Sequence, residues 1–408
     1  MKKPELLIPA GNLENFKVAL DYGADAVYIG GEMYGLRAAA KNFSNDDIAS
    51  ALKLAHEKNK KVYVTANITA HEDDLEGIRK YFRQLRDIRP DALIISDPGV
   101  MEIAHEEIPE VQIHVSTQAN NVNSMTFNFW HNYGAKRVVS ARELSMSEIR
   151  KIRDNIPVDL EIETFVHGAM CISYSGRCLL SNYFTGRDAN MGACTHPCRW
   201  KYFVSEESRP GEYLPVFENE RGTYIFNSKD LCMVDHIPEL VAAGIDSFKV
   251  EGRMKTALYV AAVARTYRKA IDDYFESEEK YRANLSWYRD EITKCTYRQF
   301  TTGFFFGKPG HDAQIYDNNV YIRRYTYLGT VCSQKENGLI TLEQKNKFSV
   351  GDTIEAMRMN GENEALKVLE MYTEDNMPIE SCPHAGQIFK MRLDGRVNEG
   401  EILRMPTP

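Results

Sequence analysis

Tyr22-Gly-Ala-Asp-Ala-Val-Tyr-Ile-Gly30 sets a Gly-Ala step in front of a short apolar, β-rich run. The arrangement recurs at Gly134-Ala135 before Arg137–Val139 and, as Gly244-Ile245, before Ser247–Glu251. Glycine suits the residue after a helix, where the chain turns left-handed, so each step marks a passage from helix into strand. Working outward, the pattern predicts strands at Glu5–Pro9, Ala26–Ile29, Lys61–Thr65, Ala92–Ser96, Gln112–Ser116, Arg137–Val139, Asp159–Phe165 and Ser247–Glu251. Helical patterns lie between most of them, as over Ser44–Asn59, Asp73–Arg86, Ser145–Asn155 and His236–Ala243. Eight strands joined by helices are the count of a (β/α)8 barrel. A doubly wound sheet carries a glycine-rich phosphate loop after its first strand. Here that loop reads Pro9-Ala10-Gly11-Asn12-Leu13, with a single glycine, and the TIM-like barrel is the better reading.

The chain has 408 residues, 43% hydrophobic and 26% charged, which suits two or three folded domains. With 50 Lys+Arg against 58 Asp+Glu the net charge is −8. That excludes nucleic-acid binding by bulk positive charge and leaves room only for a local basic site. The longest clearly apolar stretch, Ala257–Ala264, is far short of the ~20 residues that span a bilayer. The start of the chain also lacks the apolar core of a signal peptide, so a cytoplasmic protein is expected. Thiols stay reduced there, and clustered cysteines more often hold a metal than form disulfides.

The organisation predicted is a barrel over 1–275, a connector over 276–311 and a small all-β domain over 312–408. In the last region, Tyr327–Cys332, Gly338–Leu342, Asp352–Met357 and Gln387–Met391 read as strands between turn residues. One interval breaks the rhythm. Five of the eight cysteines lie between strands seven and eight, in an insertion over 169–235, spaced Cys171-x6-Cys178-x15-Cys194-x3-Cys198-x33-Cys232. A loop after a barrel strand lies at the face where such enzymes work. Buried small hydrophobes are the bland alternative. Only Cys194–Cys198 has the short spacing of a zinc knuckle, so spacing alone leaves zinc and an iron–sulfur cluster open.

The run Glu163-Thr-Phe-Val-His-Gly-Ala-Met-Cys171-Ile-Ser-Tyr-Ser-Gly-Arg-Cys178-Leu-Leu-Ser181 resembles the signature of the collagenase-like peptidase family. Gly192-Ala-Cys194-Thr-His-Pro-Cys198-Arg-Trp, Phe226-Asn-Ser-Lys-Asp-Leu-Cys232 and Phe248-Lys-Val-Glu-Gly-Arg253 extend the resemblance, which covers essentially the whole chain. It implies the branch that takes part in prephenate-dependent, O2-independent 5-hydroxylation of the wobble uridine in tRNA. Cluster-bearing relatives imply a 4Fe-4S cluster on Cys171, Cys178, Cys194 and Cys232, with Cys198 competing with Cys194. Zinc remains the alternative metal. Partners implied are the anticodon region of tRNA, a small dicarboxylate co-substrate, and in one reading a paralogous protein for which this chain is an RNA-binding subunit.

The residues fit redox chemistry better than proteolysis. No Gly-x-Ser-x-Gly elbow or His-Glu-x-x-His helix is present. A cysteine peptidase could be built from Cys171 or Cys178 with His167 or His196, but the other clustered thiols would stay unexplained. Glu163 and His167, at the end of strand seven, are the candidate acid–base pair. A donor with two carboxylates calls for cations, and Arg142, Arg177, Lys249 and Arg253 stand at or near strand ends. Lys249, Glu251 and Arg253 would share one strand face, either as a ligand site or as an internal ion-pair ladder. Ser116 and Gln118 follow strand five and can hydrogen-bond a base edge or a carboxylate. For stacking on unpaired bases the insertion offers Tyr174, Tyr183, Phe184, Trp200 and Tyr202, with Arg187, Arg199 and Lys201 nearby.

Overall fold

A computed structural model describes all residues except 1, 36–41, 172, 176, 201–202, 205–213, 216–226, 309–313, 316–320, 335–337, 383 and 408. Gly176, Lys201, Tyr202 and Phe226 of the motifs above, and the side chain of Arg199, lie outside the described residues.

Eight parallel strands close on themselves: β1 (Glu5–Pro9), β2 (Ala26–Gly30), β3 (Lys61–Ala66), β4 (Ala92–Ile95), β5 (Gln112–Val115), β6 (Arg137–Val139), β7 (Glu161–Ala169) and β8 (Ser247–Val250). β8 pairs with both β1 and β7, which completes the barrel. The helices that follow the strands are α1 (Leu13–Asp21), α2 (Asn45–Glu57), α3 (Leu75–Ile88), α4 (Pro98–Glu107), α5 (Ser124–Asn132), α6 (Met146–Arg153), α7 (Ile237–Ala242) and α8 (Ala257–Glu276). Side chains of Asn12, Ser44, Asp97, Asn123, Ser145 and Thr256 cap six of them by accepting from a backbone N–H of the first turn. Each cap contributes about 1 kcal/mol and fixes where the strand-to-helix loop ends. The helices bury their apolar faces on the outside of the strands, around residues such as Phe16, Ile48, Phe82, Ile149 and Tyr267.

The barrel interior is small and partly polar. Leu7, Ala26, Tyr28, Tyr63, Ala92 and Ile94 form its apolar part. Below them Arg137 is ion-paired to Glu5 (2.6 Å), Glu161 (2.6 Å) and Glu163 (3.0 Å). Tyr63 donates its hydroxyl to Glu5 at 2.7 Å, and Lys249 reaches Glu163 at 2.6 Å. Buried charges need such mutual pairing, because each has left its hydration behind.

β7 runs further than the sequence pattern suggests. Its continuation to Ala169 is supported by the short strand Asp230–Cys232, which pairs antiparallel with 167–169, and Phe300–Thr301 then pairs with Asp230 and Leu231. The insertion therefore leaves the barrel and returns to it at one strand end. The segment expected as a plain connector carries two short helices, Glu278–Ala283 and Leu285–Ile292, as well as the strand that joins the barrel sheet.

Six antiparallel strands form a second, closed barrel: β9 (Tyr325–Gln334), β10 (Leu339–Glu343), β11 (Thr353–Met357), β12 (Asn363–Tyr372), β13 (Ile388–Leu393) and β14 (Ile402–Pro406), in the order β9-β10-β13-β12-β11-β14. It has its own core, with Leu328, Phe348, Leu366, Phe389 and Leu403. Tyr22, which caps the end of α1, joins the two barrels by donating to the Met357 carbonyl (2.7 Å) and accepting from Ile402 N–H (2.9 Å). Glu291 bridges Arg265 of α8 (2.6 Å) and Arg404 of β14 (2.7 Å) at the same junction. Among the described residues no helix is long and apolar enough to cross a membrane.

Candidate active site

At the C-terminal end of the barrel strands lies a cavity of about 190 Å3. Its walls bring together most of the residues singled out in the sequence. Ser116 and Gln118 come from the loop after β5, Arg142 from the loop after β6, and Lys249, Glu251 and Arg253 from β8 and its continuation. The insertion supplies Cys171, Cys178, Cys194 and Cys198 to the same cavity.

The cations are held from behind. The Lys249 ammonium sits 2.6 Å from Glu163 and 4.6 Å from the centre of the Tyr28 ring. Arg142 lies over Phe165, 4.0 Å from the ring centre, and donates to the Ala169 carbonyl at 3.1 Å. Its Nε is buried without a hydrogen-bond partner, as is Oε1 of Gln118. Arg253 donates to Asn42 (2.7 Å) and Thr65 (3.4 Å). Its guanidinium occupies the space left by Gly30, where an added Cβ would lie 2.3 Å from Nη2. Glu251 donates its backbone N–H to the His167 carbonyl at 2.9 Å, and its carboxylate accepts from Tyr28 at 3.4 Å. Ser116 Oγ accepts from Asn67 at 3.2 Å. Lys249, Glu251 and Arg253 thus do face one cavity, although the strand stops at Val250 and Lys249 pairs with Glu163 instead of Glu251.

Glu163 does not line the cavity. It is fully buried beneath it, between Arg137 and Lys249. Burial alone would raise its pKa, but Lys249 and Arg137 outweigh that and hold it below the usual carboxylate value. Its place in the structure is that of a counter-ion that orients Lys249.

His167 is also directed away from the cavity, and the cause is a β-bulge. Phe165 is level with Lys249, but the next match is His167 with Val250, so Val166 is an extra residue in β7. The bulge breaks the two-residue alternation and turns His167 outward. Its ring packs among Tyr259, Tyr267 and Phe300, at 5.6 to 5.9 Å between centres. Burial, helped by the charge of Lys255, lowers its pKa to about 3. A ring this hard to protonate is a poor acid–base group near neutral pH.

Arg177 lines a different, outer cleft. Cys232 sits level with His167, with its thiol 4.0 Å from the Tyr267 hydroxyl, and burial pushes its pKa up to about 12. It is not among the residues lining the inner cavity, whereas Cys198 is. Among the described residues no three His, Cys, Asp or Glu side chains converge closely enough to hold a metal ion together. Cys295 and Cys382 are buried and Cys332 is exposed, all outside the insertion. The cavity also holds Tyr28, Asn67 and Phe165, which the sequence reading passed over, and His196, which entered it only as a peptidase partner. Tyr28 and Phe165 are legible in retrospect as inward positions midway along β2 and β7.

A closed parallel barrel with a site built from its strand-end loops and a cysteine-bearing insertion defines the class of protein. The chain belongs to peptidase family U32: the family model matches residues 11–315, and the model of the family's C-terminal domain matches residues 323–404. It is 40% identical over 404 residues to tRNA hydroxylation protein P1 of Bacillus subtilis, covering 99% of this chain and 95% of that protein. It is 39% identical over 420 residues to tRNA hydroxylation protein P of Escherichia coli, covering 93% and 92%. An uncharacterised protease of Methanocaldococcus jannaschii is 41% identical over 357 residues, covering 86% of each.

Proposed function

We propose that this protein hydroxylates tRNA, at C5 of the wobble uridine, in a prephenate-dependent and O2-independent reaction supported by a 4Fe-4S cluster at the barrel mouth. The observation that carries the proposal is the facing of four thiols and three cations across one small cavity. Its similarity to tRNA hydroxylation proteins over nearly its whole length supports the RNA substrate.

The donor set suits a thiolate-bound cluster in kind. Cys171, Cys178 and Cys194 share the cavity wall, and Cys232 ends the strand that returns to the point where the insertion leaves β7. Cys198 lines the same cavity and competes with Cys194 for its place. Such a cluster would supply one-electron redox chemistry that zinc lacks. The chain's own residues bind and orient. Arg142 and Arg253 offer planar donor pairs to carboxylates, and Lys249 offers a point charge at the same cavity. Ser116, Gln118 and Glu251 supply neutral and acidic hydrogen-bonding groups at the same wall. The cavity is small enough to strip water from a dicarboxylate held there, which strengthens each of those bonds.

A cysteine peptidase needs a free thiol beside an imidazole. His167 is removed from that role by its outward direction, while His196 shares the cavity with the cysteines. Iron and sulfide content of protein purified without oxygen tests the proposal directly. About four irons per chain are expected, lost in Cys171→Ala and Cys232→Ala and kept in Cys198→Ala. Stoichiometric zinc, or no metal, sinks the cluster. Hydroxylated wobble uridine that persists in the tRNA of a deletion strain sinks the reaction.

A further inference from the structure

Beside the inner cavity lies a wider cleft of about 1200 Å3. The two share Cys171 and Tyr174 in their linings, so they adjoin at these two residues. The inner cavity is smaller than the ~300–1000 Å3 of ordinary ligand pockets, and the outer cleft is larger. Only a molecule larger than an ordinary small ligand fills the second.

The walls of the outer cleft carry both aromatic rings and cations. Tyr174 is 46% exposed at the threshold between the two spaces. Arg177 donates its backbone N–H to the Tyr174 carbonyl at 3.2 Å, so one turn carries an exposed ring and an exposed guanidinium together. Phe304 and Lys308 line the cleft from a different segment, 301–308. That segment is anchored, because the Phe305 carbonyl accepts from the N–H of Met146 at 2.9 Å, the first residue of α6. Two carboxylates also face the cleft. Glu148 is engaged by the N–H and hydroxyl of Ser145, at 2.8 and 2.6 Å. Burial raises the pKa of Glu143, whereas the hydrogen bonds from Ser145 lower that of Glu148.

We propose that the outer cleft receives a single-stranded RNA loop, that Arg177 and Lys308 contact its phosphates, and that Tyr174 stacks on the base turned toward the inner cavity. This rests on the RNA-modifying reading above and assigns the RNA side of that site. Aromatic stacking with cations on the backbone is how unpaired strands are held without reliance on net charge. A base leaving the loop passes Tyr174 and Cys171 on its way in, so the ring both admits and positions it.

The test is fluorescence anisotropy of a labelled anticodon stem-loop RNA with the full chain, over a range of salt concentrations. Tyr174→Ala is expected to weaken binding about 5- to 150-fold, the range for alanine replacement of a stacking aromatic. Tyr174→Phe keeps the stacking face and is expected to bind like the unaltered chain. Replacing both Arg177 and Lys308 by Gln is expected to lower the slope of log affinity against log salt by about 1.4, from ~0.7 per phosphate contact. These side chains are exposed, and circular dichroism verifies that the variants are folded. Unchanged affinity in Tyr174→Ala, an unchanged salt slope in the double variant, or equal binding of a fully paired duplex overturns the assignment. Binding is read without turnover, so a failure here is separable from persistence of hydroxyuridine in a deletion strain.

Discussion

Glu163→Gln separates a buried counter-ion from a catalytic acid. Glu163 is fully buried, 2.6 Å from Lys249 and 3.0 Å from Arg137. Removing one member of a buried ion pair costs about 3–5 kcal/mol, because the remaining charge is left without compensation. Arg137 retains Glu5 and Glu161, so little of that cost falls on it. Among the described residues Lys249 retains the faces of Tyr28 and Phe165, at 4.6 and 5.5 Å, worth about 0.5–2 kcal/mol. The expected loss is therefore near the low end, about 3 kcal/mol. Urea unfolding followed by circular dichroism measures it. The double variant Glu163→Gln with Lys249→Met removes both charges and is expected to come back to within about 1 kcal/mol of the original stability. Acid should close the gap between Glu163→Gln and the parent. A carboxylate whose folded pKa is depressed stabilises above its unfolded pKa, and that contribution is lost as pH falls through the folded value. A loss below about 1 kcal/mol in the single variant, or a double variant no more stable than the single one, refutes the reasoning. Full stability with lost turnover would instead make Glu163 catalytic.

Three other perturbations test separate parts of the structure. His114 is buried against Tyr63, and burial, with Arg137 and Lys249 behind it, keeps its folded pKa well below the ordinary histidine value. Its contribution is present above the unfolded pKa and lost as pH falls, so His114→Phe should flatten the acid limb of stability by up to about 1.4 kcal/mol per pH unit; an unchanged limb in urea titrations rejects this. Gly30→Ala puts a methyl group where the Arg253 guanidinium lies, and a flexible side chain can move aside. The fold should survive while calorimetric binding of prephenate weakens by about tenfold, one lost charge-assisted hydrogen bond; undiminished binding removes Arg253 from the site. Glu291→Gln strips the carboxylate shared by Arg265 and Arg404, whose charges hold its pKa near 2 against the effect of burial. Scanning calorimetry should show unfolding shifted to lower temperature, with a cost of about 3–5 kcal/mol; an unshifted transition contradicts the bridge.

The barrel could be read from the chain because its signals are local. Gly23, Gly134 and Gly244 adopt positive φ in the structure, which is the helix-to-strand turn their sequence positions suggested. Strand starts came out well for the same reason, as at Glu5, Ala26, Lys61 and Arg137. In the second barrel β12 and β14 went unread. β12 is rich in Glu and Lys on its exposed face, which dilutes the strand signal. The cysteines declared themselves by crowding into one insertion, and a loop after a barrel strand has only one end of the barrel to occupy.

What the chain alone determined was therefore which elements form, which end of the barrel carries chemistry and which residue types gather there. The tertiary structure decided where individual side chains point. One extra residue in β7 sent His167 outward, while Phe165, two residues earlier, stayed at the cavity. Pairing across the barrel, from Arg137 to Glu163 to Lys249, made Glu163 a counter-ion. The fold of the insertion put Cys198 at the inner cavity, Arg177 at the outer cleft and the Cys232 thiol beside Tyr267. Periodicity predicts direction only while register holds, and a bulge or a long insertion resets register by interactions between residues far apart in sequence.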